Sequence, residues 1–309
     1  MQGKMRINMK SLMKSAIRRL FTFGQRCGID ILPRHYYSEI PDIGKLQRTS
    51  WWRKPYSMTG IEGADCEDQL RFAKATVTID MADSAVYSLA CEENGAQGFG
   101  IIEAEFLFNY IMVHRPKSVI QVGAGVSTSI ILQAAQAASY APHVICVDPY
   151  PTPLLKKLQA LNKIELLTLP VQEVSPTLVS RLGTGDLFFV DSTHTLGPSG
   201  EVSRLVLEWL PQLSPGVRAH FHDVSFPYDY NPDILQKALF FPHETTLLYA
   251  FLCLNRSFRI LCSLSMLHHH HRSDLGKIFP HYNPMPMEDG VMTEEGHFPS
   301  SIYIERTTV

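Results

Sequence analysis

The sequence predicts an α/β domain in which a doubly wound, mainly parallel sheet is covered by helices on both faces. Three observations predict it. From about Ile101 onward, short β-branched apolar runs alternate with helix-length segments. Those runs are apolar nearly throughout, as in strands buried on both faces. The last two, at 259–265 and 301–305, have no clear helix between them, which suits an antiparallel pair at the sheet edge.

Each element follows from its residues. Residues 103–113 read as a helix closed by Arg115-Pro116, because proline cannot continue one. A first strand covers 118–122, and a helix rich in alanine and glutamine covers 127–140. A second strand at 144–147 and a helix at 152–161 lead to a third strand at 164–169. A helix near 175–182 precedes the fourth strand, 186–190, and a strong helix at 201–210 precedes the fifth, 216–222. Upstream, Pro33, Pro41, Pro55 and the Trp51–Trp52 pair sit in mixed polarity, which predicts short helices and loops rather than a separate sheet. The expected organisation is a leader at 1–95 forming a substrate-side cap. An α/β domain at 96–309 follows, with a loop-rich insert at about 268–299.

With 45% apolar and 19% charged residues, the 309-residue chain has an ordinary globular composition. Its longest apolar run, 245–254, is closed by Arg256 and Arg259 and falls short of the roughly 20 residues a membrane span needs. Six scattered cysteines with no CxxC read as reduced thiols, and no signal-peptide pattern opens the chain, so a cytoplasmic location is expected. Charge is lopsided: residues 1–54 hold twelve Lys/Arg against three Asp/Glu, and no acid precedes Asp30. Lys10, Lys14 and Arg18 recur at i, i+4, while Met9, Met13, Ile17 and Leu20 mark another face. That pattern predicts a basic amphipathic helix. Packing on its own domain is the preferred reading, and contact with anionic lipid or a phosphorylated substrate stays open. Nucleic acid is not an expected partner, because the basic character stops there.

The stretch SVIQVGAGVSTSIIL runs from the first strand into a helix through Gly123 and Gly125. Gly123 permits a turn that other residues adopt at a cost, and Gly125 lets backbone approach a ligand. Thr128 stands where a dinucleotide fingerprint has its third glycine, and no GK[ST] follows, which excludes a P-loop. The second strand ends at Asp148, whose carboxylate suits the two hydroxyls of a ribose; a helix-capping role before Pro149 is the alternative. Asp191-Ser-Thr-His194 closes the fourth strand and His222-Asp223 the fifth. If those strands are neighbours, four polar groups meet at one rim, as a cofactor with a metal or a general base requires.

Residues 96–266 and the terminal GHFPSSIYIE resemble the class I S-adenosylmethionine-dependent methyltransferases. The glycine turn, Asp148, FFVDSTHT and GVRAHFHDVSFPYDY look like the branch with sugar and small-molecule O-methyltransferases and cephalosporin-hydroxylase-like proteins. The resemblance implies a Rossmann-like seven-stranded sheet with a reversed last strand. It implies S-adenosylmethionine held by Gln121, Gly123, Gly125, Ser127 and Asp148. Gln121 departs from the usual acid and leaves that position uncharged. Metal-dependent relatives place carboxylates at the positions of Asp191, His222 and Asp223, so a divalent cation, Mg²⁺ or Mn²⁺, is a cofactor candidate. His194 matches the general base, with ordering of its loop as the alternative, and Asp191 alternatively orients a substrate hydroxyl. The implied acceptor is a small hydroxylated metabolite, among them a sugar or lipid-linked glycan. An NAD-dependent oxidoreductase and a non-catalytic cofactor-binding partner subunit are the competing readings, and homo-oligomerisation stays open. The four histidines at 268–271 read as an exposed loop, and His220 as a satisfied interior histidine. Trp51, Trp52, Tyr228 and Tyr230 read as packing residues rather than pocket walls.

Overall fold

A computed structural model describes residues 9–81, 85–230, 240–282, 285–287, 290–292 and 299–308. The chain divides into two compact units, Met1–Thr49 and Ser50–Val309. Within the first unit lie α1 (Met9–Arg26) and α2 (Ile43–Gln47), the latter capped by Asp42, whose carboxylate accepts from the Lys45 N–H. No helix among the described residues is long and apolar enough to cross a membrane.

The second unit opens with α3 (Cys66–Thr76), α4 (Val86–Asn94) and α5 (Ile101–His114). Strand β1 (Ser118–Val122) then leads into α6 (Val126–Ala137), and β2 (His143–Val147) into α7 (Pro153–Ala160). Next come β3 (Glu165–Leu167), β4 (Leu187–Val190), α8 (Glu201–Arg204), β5 (Arg218–Phe221) and α9 (Glu244–Leu252). Strand β6 (Phe258–Ser263), α10 (Leu264–His270) and α11 (Arg272–Ile278) precede a short hairpin of β7 (Met285–Met287) and β8 (Gly290–Met292). Strand β9 (Ile302–Arg306) completes the sheet.

Seven strands form that sheet in the order β3-β2-β1-β4-β5-β9-β6. Strands β1 to β5 pair in parallel, whereas β9 runs antiparallel to both β5 and β6. Strand order reverses between β1 and β4, the place where ligands bind in open α/β sheets. Alternation along the strands divides the core into two layers. Val119, Leu187 and Phe189 face the layer built with α5 and α6. Ile120, Val122, Phe188 and Val190 face the other, against Trp209 and Leu248. Helix α5 is buried from Ile102 through Ile111, with Glu103, Glu105 and Asn109 among its buried residues, and carries the first layer.

Three predicted elements take another form. The helix near 175–182 is a 3-10 helix at Pro176–Arg181. The helix at 201–210 keeps regular α geometry only over α8 and continues as a π turn at Leu205–Trp209 and a 3-10 turn at Leu210–Gln212. Pro211 has no N–H to offer the Leu207 carbonyl, so the α pattern cannot continue through it. The segment after β6 is helical, not loop-rich, through Ile278; the rest of the insert lies partly outside the described residues, as do Gly296, His297 and Phe298 of the terminal motif. Ser263 caps α10 by accepting from the Met266 N–H, and Leu264 and Leu267 pack into the core. That packing turns His268 inward, where it is fully buried with its Nδ1 3.0 Å from Tyr282 Oη, so the histidine run is not an exposed loop.

His114, at the end of α5, stacks on Phe72 at 5.3 Å and places Nε2 3.0 Å from Thr76 Oγ1. Burial, and next the Arg218 guanidinium, push its pKa down from 6.5 to about 4. The folded state therefore resists a proton that the unfolded chain accepts. The stability this gives is complete above about 6.5 and declines as pH falls toward 4. A shift of that size is worth about 3 kcal/mol, and partial solvent access to the ring brings it to roughly 1–2 kcal/mol. Urea unfolding at the two ends of that window is expected to show the loss in the wild-type chain and a smaller loss in His114→Gln. Equal pH dependence in the two chains would refute the assignment.

Candidate active site

The glycine turn lies where β1 ends. Gly123 adopts φ 76°, and a Cβ there would lie 1.8 Å from the Asp191 carbonyl oxygen, so no other residue fits. The Asp191 N–H donates to the Val122 carbonyl at 2.9 Å, and the Gly123 N–H to that of Val147 at 3.2 Å. The turn is thereby tied to both neighbouring strand ends. Thr128, at the third-glycine position, accepts from the Gly125 N–H through Oγ1 at 3.1 Å, a hydroxyl latch that closes the turn.

A cavity of about 220 Å³ opens above this turn, lined by Gly123, Gly125, Ser127, Asp148 and Asp191 together with Asn94 and Phe99. Asp148 holds the loop from the adjacent strand end. Its Oδ1 accepts from the Tyr150 N–H at 2.7 Å, and its Oδ2 lies 3.4 Å from the Ala124 N–H. The helix that follows is capped by Thr152 instead. Gln121 is fully buried below the turn and does not line the cavity. Its Nε2 donates to Ser127 Oγ at 3.2 Å, and Cys146 Sγ donates to its Oε1 at 3.8 Å. Asn94 was not foreseen. Its Oδ1 is buried without a hydrogen-bond partner and stands 2.9 Å from where a Gly125 Cβ would be. Such an acceptor is costly unless a ligand donor meets it.

Beside the cavity, the ends of β4 and β5 bring the four rim residues together. His194 Nε2 lies 3.6 Å from Asp191 Oδ1 and 3.5 Å from Asp223 Oδ2. His222 Nδ1 lies 3.4 Å from Asp191 Oδ1 and 3.6 Å from Asp223 Oδ1, and its alignment makes no hydrogen bond. Both imidazoles are buried, and Phe99 packs on the His222 ring at 5.0 Å. His194 and Asp223 hold left-handed backbone conformations, φ 59° and 55°. Non-glycine residues adopt that region at a cost, and they cluster at functional sites.

Three residues that the sequence reading missed fix this rim. Glu244, at the start of α9, is 1% exposed and sits 2.6 Å from His194 Nδ1 through Oε2. The His243 and Glu244 N–H groups also donate to the His194 carbonyl at 2.8 and 3.2 Å. Ser300 donates to Asp223 Oδ1 at 3.0 Å, and its own N–H donates to Glu103 Oε1 at 2.7 Å. Electrostatics follow from this packing. Burial opposes charge on His222, yet Asp223 and Asp191 prevail and raise its pKa to about 10. Burial likewise opposes charge on His194, and Glu244 first among its neighbours reverses that and raises its pKa. Burial raises the Glu103 carboxyl to about 7.

Asp191, His194 and His222 each offer a ligand atom within 4.8 Å of the others, a spacing suited to one metal ion. Two imidazoles with carboxylates form a donor set more tolerant of Mn²⁺ or Zn²⁺ than an all-oxygen Mg²⁺ site. His220, one turn of the pleat deeper, is fully buried with Nε2 2.8 Å from Ser301 Oγ, and burial holds its pKa well below 6.5. Tyr228 packs on the His269 ring at 4.6 Å, and Trp52 is buried while Trp51 is exposed.

Residues 120–224 match a family model described as a methyltransferase domain. An uncharacterized protein of Archaeoglobus fulgidus is 26% identical over 186 residues, covering 56% of this chain and 80% of its own. Among solved structures, the methyltransferase PaMTH1 of Podospora anserina, bound to S-adenosylhomocysteine, is 12% identical with a TM-score of 0.39, over 90% of this chain and 99% of its own. The O-methyltransferase TomG of Streptomyces achromogenes, in complex with S-adenosylmethionine, is 12% identical with a TM-score of 0.42, over 78% of this chain and 96% of its own. The region that matches the methyltransferase-domain model runs from within β1 through the rim at Asp223, about a third of the chain, and the seven-stranded sheet is built around it.

Proposed function

We propose that the chain transfers the methyl group of S-adenosylmethionine to a hydroxyl oxygen of a small metabolite, with a sugar or lipid-linked glycan as the acceptor class. The observation that carries this reading is Asp191. Its backbone packs against Gly123 at the cavity, and its carboxylate reaches both rim imidazoles. One residue thus borders the cofactor space and the space in front of the reactive carbon.

In this reading Asp148 accepts the ribose hydroxyls, and the glycine backbone lets the cofactor approach closely. The buried Asn94 Oδ1 receives one of the cofactor's donors. Gln121 acts through Ser127, which it holds in place from below. The sulfonium makes its methyl carbon electrophilic, so the protein's work is to align an oxygen in line with that carbon and remove its proton. Glu244 accepts from His194 Nδ1–H, leaving the Nε2 lone pair facing the rim to take the acceptor's proton. As the proton leaves oxygen for Nε2, imidazolium forms between Glu244, Asp191 and Asp223, which stabilise it.

The same carboxylates call for positive charge, which protonated imidazoles or a divalent cation would supply. Asp191 and His222, common to the observed cluster and to the set expected from the sequence, would hold such an ion with Asp223 beside them. That keeps His194 free as the base, and an ion bound there would lower the pKa of the acceptor hydroxyl.

Calorimetry separates the cofactor reading from its competitors. S-adenosylhomocysteine is expected to bind and NAD not to; NAD binding alone would overturn the reading. Asp148→Asn removes a charged acceptor worth about 1.5–3 kcal/mol, so S-adenosylhomocysteine affinity is expected to fall roughly 10- to 100-fold without loss of fold. On the acceptor side, Asp223→Ala is expected to abolish methyl transfer from labelled cofactor to a hydroxyl panel while cofactor affinity stays within a few-fold. Glu244→Gln is expected to lower kcat roughly 10- to 100-fold, in the range of general-base contributions, with KM little changed. Undiminished turnover in both variants would exclude the rim. Activity lost in EDTA and restored by Mn²⁺ would assign the cation a role; insensitivity would leave His194 as a metal-free base.

A further inference from the structure

We infer that the first unit docks on an anionic phospholipid surface through one face of α1. The helix runs for 18 residues, and at 100° per residue Met13, Ile17, Leu20 and Phe23 fall within an arc of about 120°. Lys14, Arg18, Arg19 and Arg26 occupy the rest of the circumference. Buried core helices turn such an apolar arc inward, yet here Met13 is 62%, Leu20 49% and Phe23 64% exposed. Nine of the eighteen large apolar side chains exposed among the described residues fall between positions 13 and 40. A concentration of this kind marks an interaction surface rather than ordinary scatter.

Charge selects the occupant. The first 29 residues contain seven Lys/Arg and no Asp/Glu, whereas residues 55–309 hold sixteen Lys/Arg against twenty-seven Asp/Glu. A surface that takes an apolar face and flanking cations together, and repels the acidic remainder, is an anionic bilayer. Nucleic acid would use the cations but not the apolar arc. A second copy of the chain would bring like charges of the same helix together.

After α1 the chain doubles back without covering this arc at Gly24. The Cys27 and Ile29 N–H groups donate to the Gly24 carbonyl at 2.8 and 2.9 Å, and Gly24 is buried under Ile29 and Ile31. Ile29 and Leu32 nevertheless remain 60% and 57% exposed and extend the apolar surface. This inference does not depend on the methyl-transfer reading, and either can fail alone.

The test is flotation of the full chain with vesicles of phosphatidylcholine alone or mixed with phosphatidylglycerol. Binding is expected only with the mixed vesicles, and it is expected to fall as salt rises. Each cation at such a surface is worth roughly fivefold in partition, so the triple variant Lys14→Gln, Arg18→Gln, Arg19→Gln is expected to bind roughly a hundredfold more weakly. The variant Met13→Ser, Leu20→Ser, Phe23→Ser is also expected to lose binding, with the thermal transition of the second unit unchanged. Absence of binding to mixed vesicles, or equal binding to both kinds, overturns the inference. So does a serine variant that keeps vesicle binding but dissociates a dimer in sedimentation velocity, since the arc then covers a second copy.

Discussion

The site depends on one close contact, that of Gly123 with the carbonyl of Asp191. It forms where β1 and β4 part company, so it fixes the glycine turn and the first rim carboxylate relative to each other. The contact has no slack: the left-handed backbone and the lack of a Cβ are both needed at Gly123. The cavity and the polar rim of the second unit are both positioned from it. The cavity lies on one side, above Gly125 and beside Asp148, and the rim on the other.

The rim itself is an electrostatic compromise. Asp191, Asp223, Glu103 and Glu244 surround two buried imidazoles; Glu103 and Glu244 are closed off from water, where an unpaired carboxylate would be costly, while Asp191 and Asp223 stay partly exposed. Burial lifts Glu103 and Glu244 toward their neutral forms, while His222 and His194 hold Asp223 below its ordinary pKa. A protonated His222 therefore stabilises the resting arrangement. The left-handed backbone at His194 and Asp223 shows what the surrounding structure expends to hold these groups together.

Much of this was legible in the residues. The parallel strands are short, continuous and apolar, and their carboxyl ends carry polar residues that serve no strand, so Asp148, Asp191, His194, His222 and Asp223 stood out. Glu244 did not, because its partner is fifty positions away and nothing local marks it except an acid at the head of an otherwise apolar helix. Asn94, Glu103 and Ser300 were hidden for the same reason: their importance lies in contacts that only the folded chain makes. The helices after β6 were missed because four successive histidines interrupt the apolar rhythm, and tertiary packing of Leu264 and Leu267 outweighs that local signal. The π turn at Leu205–Trp209 shows the reverse, a strong helical pattern that Pro211 prevents from staying regular.

Strand β9 lies inside the sheet, between β5 and β6, although it is the latest strand in chain order. Ser300, just ahead of it, supplies the hydroxyl that orients Asp223 and the amide that meets Glu103. During ribosomal synthesis the five parallel strands can assemble early, with the glycine turn already shaped. The edge facing β9 and the orientation of Asp223 must wait for this final insertion. A nascent polypeptide would then form the cavity above its glycine turn before the Asp223 side of the rim is fixed by β9.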